Sequence, residues 1–250
     1  GLNLAFWRKR GSGFATRTWK ALCATVWVWL GQTTMSELLD TIIVGAGISG
    51  LLAARNISRG DHNVLTLEKS RGFGGRMAVR RSENETFDHG AQYFTVRDRA
   101  FQELIDRWIR EGSVKSWFDG EGEEPHPRYR GVPGMTAICK RLAEGLAVKR
   151  SVQVVSLARQ DGIWTVHTAD ERTWIARSVL VSAPVPQSLA LLEAGGVSLD
   201  ADLARILAAI RYDPCLALMV TLEEQASRVP SIGWVRPETG VVEWLADNRI

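Results

Sequence analysis

A short β-branched run, Thr41-Ile42-Ile43-Val44, passes directly into Gly45-Ala46-Gly47-Ile48-Ser49-Gly50 and then into Leu51-Leu52-Ala53-Ala54-Arg55. Few local patterns restrict a fold so tightly. An apolar run without alternation is expected where a strand is covered on both faces, as in a parallel sheet. A glycine-rich turn opening a helix of small and apolar residues completes the start of a βαβ unit. The GxGxxG spacing is weak evidence when met alone, and its place between strand and helix makes it informative. The first glycine permits a tight turn, the second lets the backbone approach a pyrophosphate, and the third lets helix and strand pack closely. The helix N-terminus then offers free N–H groups and a partial positive charge to an anion. The bland alternative is a plain turn.

A second strand, Asn63-Val64-Leu65-Thr66-Leu67, ends in Glu68, which follows Gly50 by 18 residues. That is close to the spacing at which a carboxylate meets ribose hydroxyls; the alternative is a solvated strand-end acid. Lys69-Ser70-Arg71-Gly72-Phe73-Gly74-Gly75-Arg76-Met77 comes next. Glycines among arginines suit a backbone passing close to an anion, and a guanidinium fork suits phosphate oxygens. The segment reads as a second phosphate-binding stretch or as a flexible basic loop.

With the later Phe87-Asp88-His89-Gly90-Ala91-Gln92-Tyr93-Phe94, these motifs resemble the FAD-dependent amine-oxidase superfamily, most of all its bacterial renalase-like, NAD/FAD-dependent oxidoreductases. The resemblance runs from about Met35 to the C-terminus. It implies an α/β (α+β) two-domain fold, with a Rossmann-type FAD-binding domain and a mixed-sheet substrate domain. The cofactor-binding residues expected from it are Gly45, Gly47, Ile48, Ser49, Gly50, Glu68, Lys69, Arg71, Gly74, Gly75, Arg76, Met77, Gly90, Ala91, Gln92, Val154 and Ala183. Within that set, Ser49 and the glycine loop would meet the FAD pyrophosphate with Arg76 beside it. Glu68 would hold the adenosine ribose, Gly90-Ala91-Gln92 would lie along the flavin, and Val154 would offer backbone to adenine. The plainer readings are a core valine at Val154 and a strand terminator at Pro184. His89 is a weak candidate for tuning the ring or contacting substrate. His62, His126 and His167 read as strand-end or loop residues.

The domain boundaries expected are 35–95 with 137–185 for a discontinuous FAD-binding domain, and 96–136 with 186–250 for an incomplete substrate domain. Residues 1–34 read as a leader or upstream sequence. They hold Trp7, Trp19, Trp27 and Trp29, and basic residues 8–10 precede an apolar run at 21–30 that is about half of a bilayer-spanning helix. A secretory signal is the competing reading. A helix is expected from Asp98 to Ile109 with Phe101, Leu104, Ile105 and Trp108 as core rather than substrate box. Residues 119–134 read as an exposed Gly/Pro-rich loop, with Pro133 in the first turn of a helix reaching Leu146. Strands are expected at 152–157, 163–167, 174–176 and 178–181, helices at 186–193 and 201–210, and further strands at 215–222 and 241–245. The chain looks truncated, because nothing after Trp244 resembles the family's last glycine-containing segment.

Composition narrows the function classes. A formal net charge of +3, from 31 basic and 28 acidic side chains, is scattered and argues weakly against a nucleic-acid stripe. Cys23, Cys139 and Cys215 lie far apart, which disfavours disulfides or zinc and makes a reducing, cytoplasmic setting the default. No metal, nucleic acid or stable membrane insertion is expected. The leading expectation is an FAD-dependent oxidase that takes hydride from a small donor, an isomer of NAD(P)H or an amine, and passes electrons to dioxygen. An NAD-dependent dehydrogenase would use the same fingerprint but leave the Gly/Arg segment unexplained. A non-catalytic nucleotide-binding module is the third reading.

Overall fold

The computed structural model describes residues 37–82, 85–120, 126–221, 229–230, 232–238 and 240–247. The chain divides into two units, Gly1–Met35 and Ser36–Ile250, and every described residue belongs to the second. The expectations for residues 1–34 therefore lie outside the described residues.

In chain order the elements are β1 (Leu39–Val44), α1 (Ile48–Ile57), β2 (Val64–Glu68), a 3-10 turn (Gly75–Met77), β3 (Arg80–Arg81), β4 (Thr86–Phe87) and α2 (Arg99–Arg110). There follow β5 (Val114–Asp119), β6 (Pro127–Gly131), α3 (Thr136–Ala143), β7 (Val148–Arg150), β8 (Val154–Gln160), β9 (Ile163–Thr168) and β10 (Thr173–Val181). The last are α4 (Val185–Ala194), α5 (Ala201–Ala208), β11 (Trp234–Val235) and β12 (Leu245–Ala246).

The main sheet has six strands in the order β7-β2-β1-β10-β9-β8. β7, β2, β1 and β10 run parallel, while β8, β9 and β10 form an antiparallel meander. The fold is thus mixed α/β with a Rossmann-like parallel half, as expected. β1 is central, with Ile42 and Ile43 fully buried and α1 laid over it through Leu51 and Ala54. Burying two such isoleucines stabilises by about 1.5–3 kcal/mol each. At 161–162, Asp161 and Gly162 both take positive φ (49° and 82°), as a two-residue hairpin turn between β8 and β9 requires.

One apolar cluster joins α1, α2, β5, β6 and α3 through Leu51, Ile105, Trp108, Val114, Tyr129, Met135 and Ile138. α2 is capped by Asp98, whose carboxylate accepts from Phe101 N at 2.9 Å. The Arg55 guanidinium of α1 satisfies the C-terminal carbonyls of α3, donating to Arg141 O, Leu142 O and Glu144 O at 2.8–3.0 Å. No helix among the described residues is long and apolar enough to cross a membrane.

Several sequence expectations are corrected. The 119–134 stretch is not all exposed loop: Pro127–Gly131 is β6, paired with β5, and Tyr129, Arg130 and Gly131 are buried. Residues 121–125 of that stretch lie outside the described residues. Pro133 is not in a first helical turn; its peptide bond is cis and α3 begins at Thr136. The strands expected at 174–176 and 178–181 are one, because β10 pairs with β9 through its first half and with β1 from Ala176 onward. β7, three residues at the sheet edge, is too short to give a strand pattern in the sequence. Residues 215–221 form no strand, and of residues 240–247 only Leu245 and Ala246 pair in a strand. Residue 222, which completes the first of those expected strands, lies outside the described residues.

Candidate functional site

The C-terminal ends of β1, β2 and β10 lie side by side because the strands are parallel, and ligands in open α/β sheets bind outside such ends. The Gly45–Gly50 loop, Glu68 and Ser182-Ala183 are brought together there. Gly45 takes φ +106° and its N–H donates to Leu67 O at 2.8 Å. The Ser182 hydroxyl donates to Val44 O and Gly45 O at 3.1 and 3.2 Å, fastening β10 to the turn. A Cβ on Gly50 would lie 2.1 Å from Gly45 O, so the third glycine is what allows the helix to leave the strand at this angle.

Gly47 is different. It is the N-cap of α1 with φ −76° and ψ 175°, a conformation open to any residue. A Cβ there would meet nothing nearer than Gly74 O at 3.8 Å. The fold itself does not need glycine at this position, whereas a ligand backed closely onto the chain does. No side chain caps α1 and no acid occupies its first turn, so its N-terminal dipole faces outward beside exposed Ser49. Ile48, by contrast, packs partly into the core.

The second glycine segment lies against the first. Gly74 N donates to Ala46 O at 3.1 Å, and Gly47 and Gly74 form a parallel bridge. Gly74 (φ +117°) and Gly75 (φ +54°) turn the chain so that Arg76 is exposed and Met77 is buried. The third segment is pinned to the second: Ala91 N donates to Arg76 O at 2.8 Å, and a Cβ on Gly90 would stand 2.1 Å from that same oxygen.

Glu68 is buried, and its carboxylate accepts from Ala46 N and Ser70 N, both at 2.7 Å. It therefore braces the glycine loop. A carboxylate has about four acceptor sites, so capacity remains for a ribose hydroxyl. Val152 N donates to Glu68 O at 2.9 Å, which puts the chain before β8 next to the strand end. Val154 itself is a buried core residue two positions farther on. Lys69 donates to Gln187, in the first turn of α4, at 3.3 Å. The Met77 side chain is core, and Arg71 is exposed with its carbonyl accepting from Arg150 at 2.8 Å. Ala183 adjoins Gly45, and its carbonyl accepts from the Ser188 hydroxyl at 3.1 Å.

Around Gln92 lies a group that the sequence did not announce. Trp244 Nε1 donates to Gln92 Oε1 at 2.6 Å, which turns the amide so that its NH2 points elsewhere. Trp244 stacks on Trp234 with centroids 4.7 Å apart, and Tyr93, Trp117 and Phe118 complete the cluster. Asp88 is buried and accepts from Met135 N at 2.9 Å; burial raises its pKa above the ordinary 3.8, against the pull of that bond, Arg130 and His89. Burial also lowers the pKa of Arg130, opposed by Asp88 and Asp247. His89 is exposed. Arg130 was legible only as part of a polar loop, and the tryptophans at 117, 234 and 244 were the one available signal. No group of three or more metal-ligating side chains exists among the described residues.

Residues 43–108 match the family described as NAD(P)-binding Rossmann-like domain. The chain is 34% identical over 105 residues to an L-amino acid dehydrogenase of Synechocystis sp., covering 39% of this chain and 22% of that protein. It is 38% identical over 83 residues to a probable flavin-containing monoamine oxidase A of Dictyostelium discoideum, covering 33% and 17%. The chain therefore spans about a fifth of the length of these curated relatives. Among solved structures, a triple mutant of putrescine oxidase superposes with a TM-score of 0.54 at 14% identity, over 68% of this chain and 63% of that one, a likeness of fold. Residues 43–108 are thus similar to an NAD(P)-binding Rossmann-like domain, and the stretch resembles part of a flavin-containing amine oxidase and of an amino acid dehydrogenase. The matched span takes in the fingerprint, Glu68, the Gly74–Arg76 segment and Gly90–Gln92.

Proposed function

We propose that this chain is the FAD-binding portion of a flavin-dependent oxidase that takes hydride from a small reduced donor and passes the electrons to dioxygen, giving hydrogen peroxide. The observation that carries this reading is Gly47, a glycine that neither backbone conformation nor packing demands, set where two glycine segments meet at a helix N-terminus. The relatives support a flavin, since one is named as flavin-containing and others are amino acid oxidases.

Bound FAD supplies a ring system that accepts a hydride. The protein's part is to bind, orient and shield it. Backbone N–H groups of 47–50 and exposed Arg76 would meet the diphosphate, with Arg71 and Lys69 adding positive charge at the edge. Glu68 would offer its remaining acceptor capacity to the ribose, and backbone near Val152 and Val154 would border the adenine. Ala183 and Gly90-Ala91-Gln92 would border the ring system, and exposed His89 would contact donor. The division into an FAD-binding part (35–95 and 137–185) and a substrate part (96–136 and 186–250) and a cytoplasmic setting belong to this proposal. The donor is a renalase-type dihydronicotinamide or an amine or amino acid; the Asp88–Phe94 motif favours the first and the relatives' names favour the second.

The test is the visible spectrum of the full-length protein, recorded anaerobically before and after each donor, with peroxide measured on admitting air. Bound flavin bleached by one donor class, followed by peroxide, is the expected result. A colourless protein that cannot be reconstituted with FAD defeats the reading. If that protein instead binds NAD, the dehydrogenase alternative takes its place.

A further inference from the structure

A cavity of about 160 Å³ opens between the β3–β4 hairpin and the first turns of α3. It is lined by none of the cradle residues at 45–50 and 68. Its polar wall comes from two pairs of residues. Arg81 and Thr86 stand opposite one another in the β3–β4 ladder. Thr136 and Lys140, four apart on α3, share a helix face. Val79 and Pro133 form the apolar side.

We propose that this cavity is an anion site that takes a phosphate group. Arg81 and Lys140 both line it, and no acid does. Among the described residues, neither Arg81 nor Lys140 is held in an ion pair. The Asp88 carboxylate lies behind Gly134, bonded to Met135 N and facing the field of Arg130. Like charges turned into one concavity repel, and an anion between them removes that repulsion. The volume suits the charge: a water takes about 30 Å³ of liquid, so a five-heavy-atom oxyanion fits with some of its hydration. The donors divide the work. Arg81 offers a planar fork to two oxygens and Lys140 a point charge. Thr136 spends its proton on Met77 O at 2.9 Å and so serves as wall rather than donor. Ala137 N is likewise spent, on Gly134 O at 2.9 Å, so the side-chain cations and not the helix terminus make the site. The crevice beside Gln92, Arg130 and Asp247 is by contrast too narrow to admit a water.

The shared chemistry is a phosphate dianion, whether free in solution or carried on a nucleotide. The test is calorimetric titration of the full chain, saturated with FAD to block the cradle, with ionic strength held constant by sodium chloride. Inorganic phosphate is one arm and adenosine monophosphate the other. Arg81→Gln and Lys140→Gln should each weaken phosphate binding by about tenfold, as expected for loss of a charge-assisted bond. Lys140→Arg should keep most of it, and Arg59→Gln, an exposed arginine elsewhere, should change it little. Tighter binding of the nucleotide through the same two residues identifies a nucleotide-borne group, and equal binding identifies the free anion. No phosphate binding at tens of millimolar, or binding that neither substitution weakens, overturns the proposal. Unfolding curves for each variant establish that the fold persists, and both side chains are exposed. The readout is binding to a cavity outside the cradle, so it stands or fails separately from the oxidase reading. If the protein takes up no FAD, the same titrations are run on the protein as purified.

Discussion

Two apolar, β-prone runs in this chain meet opposite fates. Thr41–Val44 becomes the centre of the sheet, with Ile42 and Ile43 at 0% exposure between β2 and β10. Cys215–Thr221 is as apolar, yet Leu216 and Leu218 stand 98% and 90% exposed, and it pairs with no strand among the described residues. The contrast teaches that strand propensity is a fit to a pleated, partly buried surface rather than a property of the backbone. A run becomes a strand when neighbours supply both the hydrogen bonds and the cover.

The sharpest test of buried core against exposed run sets Cys139 against Cys215. Cys139 is buried in α3, and burial pushes its thiol from 9.0 up to about 12, while Cys215 is exposed. The thiolate is the nucleophile, so iodoacetamide at mildly alkaline pH should label Cys215 at least about a thousandfold faster than Cys139. Mass spectrometry of the peptides reads the ratio; comparable rates would mean that the α3 core opens as readily as the 215–221 stretch.

Next in size is the division among the fingerprint glycines. Gly50→Ala puts a Cβ 2.1 Å from Gly45 O and should cost about 3 kcal/mol or more in urea unfolding. Gly47→Ala meets nothing nearer than 3.8 Å and should leave stability within about 0.5 kcal/mol while weakening dinucleotide binding. Equal stability losses would remove the distinction on which the cradle reading rests. Glu68→Gln should cost about 1–3 kcal/mol in the absence of any ligand, because an NH2 replaces an oxygen that accepts from Ala46 N or Ser70 N. Unchanged ligand-free stability would show that Glu68 does not brace the loop.

The smallest effect is a pH slope. Asp88 has its pKa raised above 3.8, so the native state holds that proton more firmly than the unfolded chain does. Its contribution to stability is present in full below 3.8 and is lost as pH rises through the folded value. Asp88→Asn should flatten that part of the stability–pH curve, since Asn cannot ionise yet can still accept from Met135 N. An unchanged slope would assign the titration to other groups.

The βαβ unit was legible because its signals are local. A turn glycine, an apolar run and a helix N-terminus each declare themselves within a few residues, and Glu68 follows at a set spacing. α2 was legible for a like reason, its apolar residues recurring at helical spacing, while Asp98, expected inside the helix, is its cap. β6 was not, because Arg130 in a Gly/Pro-rich stretch gives no sign of burial until Asp88 and Asp247 are placed beside it. Nor was the continuity of β10, which changes partners from β9 to β1 at Ala176 without any break in its own conformation.

By itself the sequence determined the strand–turn–helix entry to the fold, the acid at the end of β2, and the glycines that a close backbone approach needs. These follow from steric limits on single residues and from periodicity, both properties of neighbours along the chain. Only the tertiary structure decided that Gly74 docks on Ala46, that Gly90 fits against Arg76, that Trp244 orients Gln92, and that Arg81 and Lys140 share a cavity. Those pairings depend on distance in space, which packing sets and which separation in sequence does not encode.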